Sequence, residues 1–237
     1  MASSSPPRLP HPSKRRKKKQ DEVDETVRSS GKKAPVVVFA HGAGAPSSSE
    51  WMVRWKEMLQ KGLHAAEVIA FDYPYMSGER RKAPPKAEKL VECHLSVIKA
   101  AAARYPGHPL VLAGKSMGSR VSCMVASGED IHVDAIICLG YPLKGSNGAT
   151  REETLLQLTV PTIFVQGSKD VLCPLDKLEA TLKKMKAVNE LYVIEYGDHS
   201  FKIGKKHLQA SGLSQTEAEE KAVAAVADFV SRSTQEK

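Results

Sequence analysis

The chain has 237 residues, 41% of them hydrophobic, enough to bury the core of one α/β domain with a tail or of two small domains. No apolar run approaches the roughly 18 residues of a membrane span, and the N-terminus lacks an apolar stretch, so neither a span nor a secretory signal is expected. The net charge of +8 is uneven: residues 1–35 hold ten Lys/Arg against four Asp/Glu, while residues 36–237 hold 25 against 23, a balance that argues against a folded domain built to bind nucleic acid.

Residues 1–34 are rich in Ser, Pro, Lys and Arg without apolar periodicity, and read as a disordered basic tail. The run Lys14 to Lys19 reads as a nuclear localisation signal or an electrostatic tether, with a plain solubilising tail as the bland reading. The tail lacks interleaved aromatics for base stacking, so nucleic acid is not expected as a partner. Cys93, Cys123, Cys138 and Cys173 are widely spaced, with no Cys-x-x-Cys pair. They read as reduced structural residues. The expected location is therefore cytoplasmic, nuclear or both, with a protein partner in the nucleus as one role.

From Pro35 the pattern changes. Val36-Val37-Val38-Phe39-Ala40 is a continuous β-branched run, as in a strand buried on both faces. Residues 50–61 put Trp51, Trp55, Met58 and Leu59 at helical spacing, and Gly62 reads as the C-terminal stop. The tryptophans read as core packing, not a ligand box. Strands are predicted at 67–71, 110–113, 135–139, 162–166 and 191–196. Helices are predicted at 86–105, 117–127, 174–187 and 216–231. Strands alternating with helices predict an α/β fold: a mostly parallel sheet of about six strands with helices on both faces. The domain is expected to span 35–232, followed by a short tail, 233–237. Ligands of such sheets bind outside the carboxyl ends of the strands.

At one such end stands Gly114-Lys115-Ser116-Met117-Gly118. Chance alone supplies Gly-x-Ser-x-Gly in roughly one chain in twelve of this length. The preceding strand and following helix make it read as a nucleophile elbow, with Ser116 on a strained turn and glycines where strand and helix nearly touch. Such a serine needs a base and an acid to orient that base. Asp170 follows the fifth strand. His199 follows the sixth, in Gly197-Asp198-His199-Ser200. The order Ser, Asp, His is that of α/β-hydrolases. Asp170 could instead cap the helix near Pro174. Asp198 is a rival acid, discounted because adjacent residues rarely orient one another's rings.

The oxyanion donors are expected to be the amides of Met117 and of Ala43, with Gly44 as runner-up, in the small-residue loop His41-Gly42-Ala43-Gly44-Ala45. His41 reads as structural, bonded to loop backbone. Lys115 would stabilise anions if it faced the site. Pointing away, the reading we favour, it is a plain elbow residue. The loops at about 73–86 and 140–157 flank the pocket and leave no room for a large lid. Tyr73, Tyr75, Arg80 and Arg81 in the first loop read either as binding an acidic substrate or as an ordinary solvated loop.

The segments Phe39–Ala45, Phe71-Asp72-Tyr73-Pro74-Tyr75, Gly114–Arg120, Gly140-Tyr141-Pro142-Leu143 and Gly197–Ser200 together resemble one branch of the α/β-hydrolases. That branch holds the testis-expressed hydrolase-like proteins and the α/β-hydrolase-like domain of a regulatory subunit of the NSL histone acetyltransferase complex, and is related to the dienelactone hydrolases. The resemblance runs from about Val36 to Val230. It implies the α/β-hydrolase fold and a triad of Ser116, Asp170 and His199. Gly44, Tyr75 and Tyr141 are candidate substrate contacts. The segment 141–148 departs from the His- and Pro-containing loop expected beside the pocket. The expected activity is hydrolysis of a small-molecule carboxylic ester or thioester through an acyl-enzyme, with no metal, cofactor or membrane. The alternative is a catalytically weak or inactive hydrolase-like scaffold for a protein partner, in the nucleus as one location.

Overall fold

The computed structural model describes residues 1, 33–76, 83–128, 130–145 and 149–235. The basic run Lys14 to Lys19, with Arg80, Arg81 and residues 146–148, lies outside them.

Six strands form one sheet: β1 (Val36–Ala40), β2 (Glu67–Phe71), β3 (Leu110–Lys115), β4 (Ala135–Leu139), β5 (Thr162–Gly167) and β6 (Asn189–Ile194). Their order is β2-β1-β3-β4-β5-β6, and every pairing is parallel. β1, β3, β4 and β5 are buried along their whole length, which is why they read as unbroken apolar runs.

Among the described residues, seven helices cover the two faces: α1 (Glu50–Gly62), α2 (Val91–Arg104), α3 (Met117–Ala126), α4 (Glu153–Gln157), α5 (Leu175–Leu182), α6 (Lys205–Ser211) and α7 (Gln215–Ser233). On one face, Val37, Phe39, Val111, Ile137 and Val165 pack against Trp55 and Leu59 of α1 and Val226 and Phe229 of α7. On the other, Val38, Leu112, Ile136 and Phe164 pack against Ile98 of α2, Val121 of α3, Leu155 of α4 and Leu178 of α5. Alternate strand residues face opposite layers, so one strand feeds both cores. Each fully buried large side chain contributes on the order of 1.5–3 kcal/mol. A capping box starts α7: Ser214 Oγ accepts the Glu217 amide at 3.1 Å and the Glu217 carboxylate accepts the Ser214 amide at 2.7 Å.

Several boundaries depart from the sequence reading. The predicted helix 86–105 is a 3₁₀ turn, Ala87–Leu90, running into α2. β6 starts and stops two residues earlier than expected, because Tyr196 sits at φ 59° in the following turn. Gly62 is the last residue of α1, not a left-handed stop. A Cβ there would overlap the Val223 side chain, so the glycine serves the packing of α1 on α7. α4 and α6, five and seven residues long, were not expected.

Candidate active site

One residue turns the chain from β3 into α3. Ser116 sits at φ 52°, ψ −111°, sparsely populated for a residue with a side chain. The surroundings hold it there. Its amide donates to the Leu139 carbonyl at 2.9 Å, and its carbonyl accepts from the Ser119 amide at 3.0 Å and hydroxyl at 2.6 Å. A Cβ on Gly118 would overlap the Ala40 carbonyl, and one on Gly114 the backbone of Ser119. Strand and helix could not approach so closely with other residues.

β5 ends beside this turn and delivers Asp170. Its side chain is fully buried, with Oδ1 accepting the Leu172 amide at 2.8 Å and Oδ2 accepting from Gln166 Nε2 at 2.5 Å. These bonds fix the carboxylate in its own turn; it is not a cap on α5. The turn after β6 delivers His199. Its Nδ1 lies 2.6 Å from Asp170 Oδ2, and its Nε2 lies 2.8 Å from Ser116 Oγ. A carboxylate only accepts, so Nδ1 carries the proton and Nε2 accepts from the Ser116 hydroxyl. Asp198 turns away: its Oδ1 accepts the amides of Ser200 and Lys202 at 2.8 and 2.9 Å.

Lys115 is absent from the described cavity lining and points away from it, but it is more than a plain elbow residue. It is 8% exposed, and its ammonium donates to the His199 carbonyl oxygen. It lies 5.2 Å from the ring centroids of both Trp51 and Phe201. Trp51 Nε1 donates to the Ser200 carbonyl at 3.0 Å. Lys115 and Trp51 thus hold the histidine turn from beneath. Burial pushes the Lys115 pKa down to about 8, opposed by the charges of Asp170 and Asp198.

A cavity of about 1110 Å³ opens over Ser116, lined in part by Ala43, Met117, Arg120, Pro142, Val171 and Leu172. Among the described residues, the Ala43 and Met117 amides donate no hydrogen bond. His41 braces the Ala43 loop: its Nδ1 lies 2.6 Å from the Gly42 carbonyl, and its Nε2 accepts the Tyr73 amide at 3.1 Å. This fixes the Nδ1–H tautomer, and burial lowers its pKa.

Gly44, Tyr75 and Tyr141 are absent from the described cavity lining. The Tyr75 hydroxyl donates to the Gly42 and Ala43 carbonyls, each at 3.3 Å, and the Tyr141 hydroxyl to the Arg151 carbonyl at 3.1 Å. Both tyrosines shape backbone around the cavity. Tyr73 is fully buried, so the first loop is not solvated at that end. Arg120 also lines the cavity, a placement that its position in the elbow motif did not signal. All four cysteines are free thiols. No group of three or more His, Cys, Asp or Glu side chains is placed to hold a metal ion among the described residues. No described helix is long and apolar enough to cross a membrane.

Solved structures share this fold. An alpha-beta serine hydrolase homologue from Coxiella burnetii aligns with a TM-score of 0.62 at 16% identity, over 82% of this chain and 85% of that one. A Pyrococcus furiosus esterase aligns with a TM-score of 0.62 at 19% identity, over 84% and 82%. Dienelactone hydrolase from Anabaena variabilis gives 0.58 at 19% identity, over 81% and 87%. The sequence pattern of the alpha/beta hydrolase domain family matches residues 33–231. With the six-stranded parallel sheet and its two helical layers, that match shows that the chain belongs to the alpha/beta hydrolase domain family.

Proposed function

We propose that the protein is a serine hydrolase that cleaves a carboxylic ester or thioester through Ser116, His199 and Asp170. The observation that carries this reading is the unbroken relay, 2.6 Å from Asp170 to His199 and 2.8 Å from His199 to Ser116, ending on a strained serine at the floor of a cavity.

Ser116 Oγ attacks the carbonyl carbon as His199 Nε2 takes its proton. Asp170 holds the ring and stabilises the imidazolium. The amides of Ala43 and Met117 receive the developing oxyanion, each donor being worth about 3 kcal/mol of transition-state stabilisation. Collapse of the intermediate expels the alcohol or thiol, which takes the proton from His199. The acyl-enzyme is then opened by water, with His199 again as the base, releasing the acid and restoring Ser116.

The test is a panel of p-nitrophenyl esters of graded chain length on the wild-type and Ser116→Ala proteins. The reading expects turnover that disappears with the serine. Turnover that survives Ser116→Ala, or none on any ester, counts against it.

On its motifs we place the chain in the branch of the testis-expressed hydrolase-like proteins and the NSL-complex subunit. That kinship, with the run Lys14 to Lys19, favours a second role as a nuclear scaffold. A stoichiometric partner captured equally by wild type and Ser116→Ala supports that role.

A further inference from the structure

The cavity wall beside Ser116 carries positive charge that one exposed carboxylate compensates only in part. Arg120 lies in the first turns of α3, its amide donating to the Ser116 carbonyl at 3.3 Å, and both residues line the cavity. Its side chain is 14% exposed, and its Nε is buried without a hydrogen-bond partner among the described residues. The nearest carboxylate, that of exposed Glu88, stands 3.5 Å from one terminal nitrogen. Arg151 enters the lining from the segment before α4, tied by one 3.3 Å bond to the Pro142 carbonyl. Burial first, and the neighbouring Arg120 charge second, weaken its hold on its proton. Lys86 and Lys144 also line the cavity, and Glu88 is the one carboxylate in the described lining.

Two guanidinium groups that repel one another and lack full partners are costly to hold in a half-closed cavity. A planar carboxylate placed between them satisfies both forks. We propose that the site selects esters or thioesters whose acyl chain carries a carboxylate, bound by Arg120 and Arg151 while the ester carbonyl lies over Ser116. This substrate class rests on the reading of Ser116 as the nucleophile.

The test compares mono-p-nitrophenyl glutarate with p-nitrophenyl valerate, chains of equal length that differ in the terminal carboxylate. The wild-type protein is expected to favour the glutarate in kcat/KM. Arg120→Gln should cut the glutarate-to-valerate ratio by at least about tenfold, the range of a charge-assisted hydrogen bond, and Arg120→Lys should restore part of it. Turnover of the valerate with no preference for the glutarate, and a ratio insensitive to Arg120, overturns the proposal and leaves the hydrolase intact. If neither ester is turned over, the hydrolase reading falls. Monomethyl glutarate titrated by NMR against Ser116→Ala then decides recognition. Saturable binding that weakens about tenfold with Arg120→Gln supports it. Binding no tighter than that of methyl valerate overturns it.

Discussion

Replacing Lys115 by Met tests the foundation of the histidine turn. Lys115 is 8% exposed, and burial pulls its pKa from 10.5 to about 8. The unfolded chain therefore binds this proton between pH 8 and 10.5 while the folded protein has lost it. Stability must rise with pH wherever the unfolded state holds more protons. At about 1.4 kcal/mol per tenfold change in proton affinity, the folded protein gains about 3 kcal/mol from this group between pH 7 and 10.5, about half of it by pH 9. Other groups titrate in the same range with the opposite sign: burial pushes Cys173 and Tyr75 up to about 12. The quantity to measure is thus the difference between wild-type and Lys115→Met unfolding free energies, from urea titrations at several pH values. The wild type should gain on the variant by about 3 kcal/mol across this interval. Parallel curves would refute a buried charged lysine beneath His199.

Three further outcomes follow from named contacts. Asp170→Asn frees His199 to take the wrong tautomer while keeping its volume, and should lower kcat on any turned-over ester by about 10⁴-fold, as in other Ser-His-Asp sites. Arg54, 39% exposed, donates two 3.0 Å bonds to Glu219, whose side chain is 2% exposed and keeps a 3.0 Å bond from Gln215, so Arg54→Met should destabilise the fold by about 1–3 kcal/mol, read as a lowered urea midpoint. His94 is fully buried against Tyr73, and burial pushes its pKa down to about 3. The unfolded chain takes this proton as pH falls below 6.5 and the folded one does not. Stability should drop from pH 6.5 towards 3, and less steeply in His94→Gln.

The interior of the sheet was legible because strands buried on both faces leave no polar residue to blur their limits. β1 and β4 match residue for residue, and so does β2 at one edge, whereas β6 at the other edge is offset by two because the turn at Tyr196 lies inside the run read as strand. α4 and α6 are too short to show a helical period. Ser116, Asp170 and His199, which the fold joins in one hydrogen-bonded chain, were singled out because each follows a strand in the order that the proposed chemistry requires. Tyr75 and Tyr141 could not be placed, since aromatic residues at strand ends serve substrate and backbone equally well in sequence. Their hydroxyls are committed to carbonyls of neighbouring loops. Lys115 was read as facing the site or pointing away. It points away, but onto the carbonyl of a residue 84 positions later, a contact that only the fold supplies.

The central claim is that Ser116 is a nucleophile primed by His199. The most direct measurement is mass-spectrometric mapping after exposure of the folded protein to a fluorophosphonate. The account predicts a single adduct on the peptide containing Ser116, absent in Ser116→Ala and strongly reduced in His199→Ala. Folded wild-type protein that stays unlabelled, or that labels equally without His199, would contradict it.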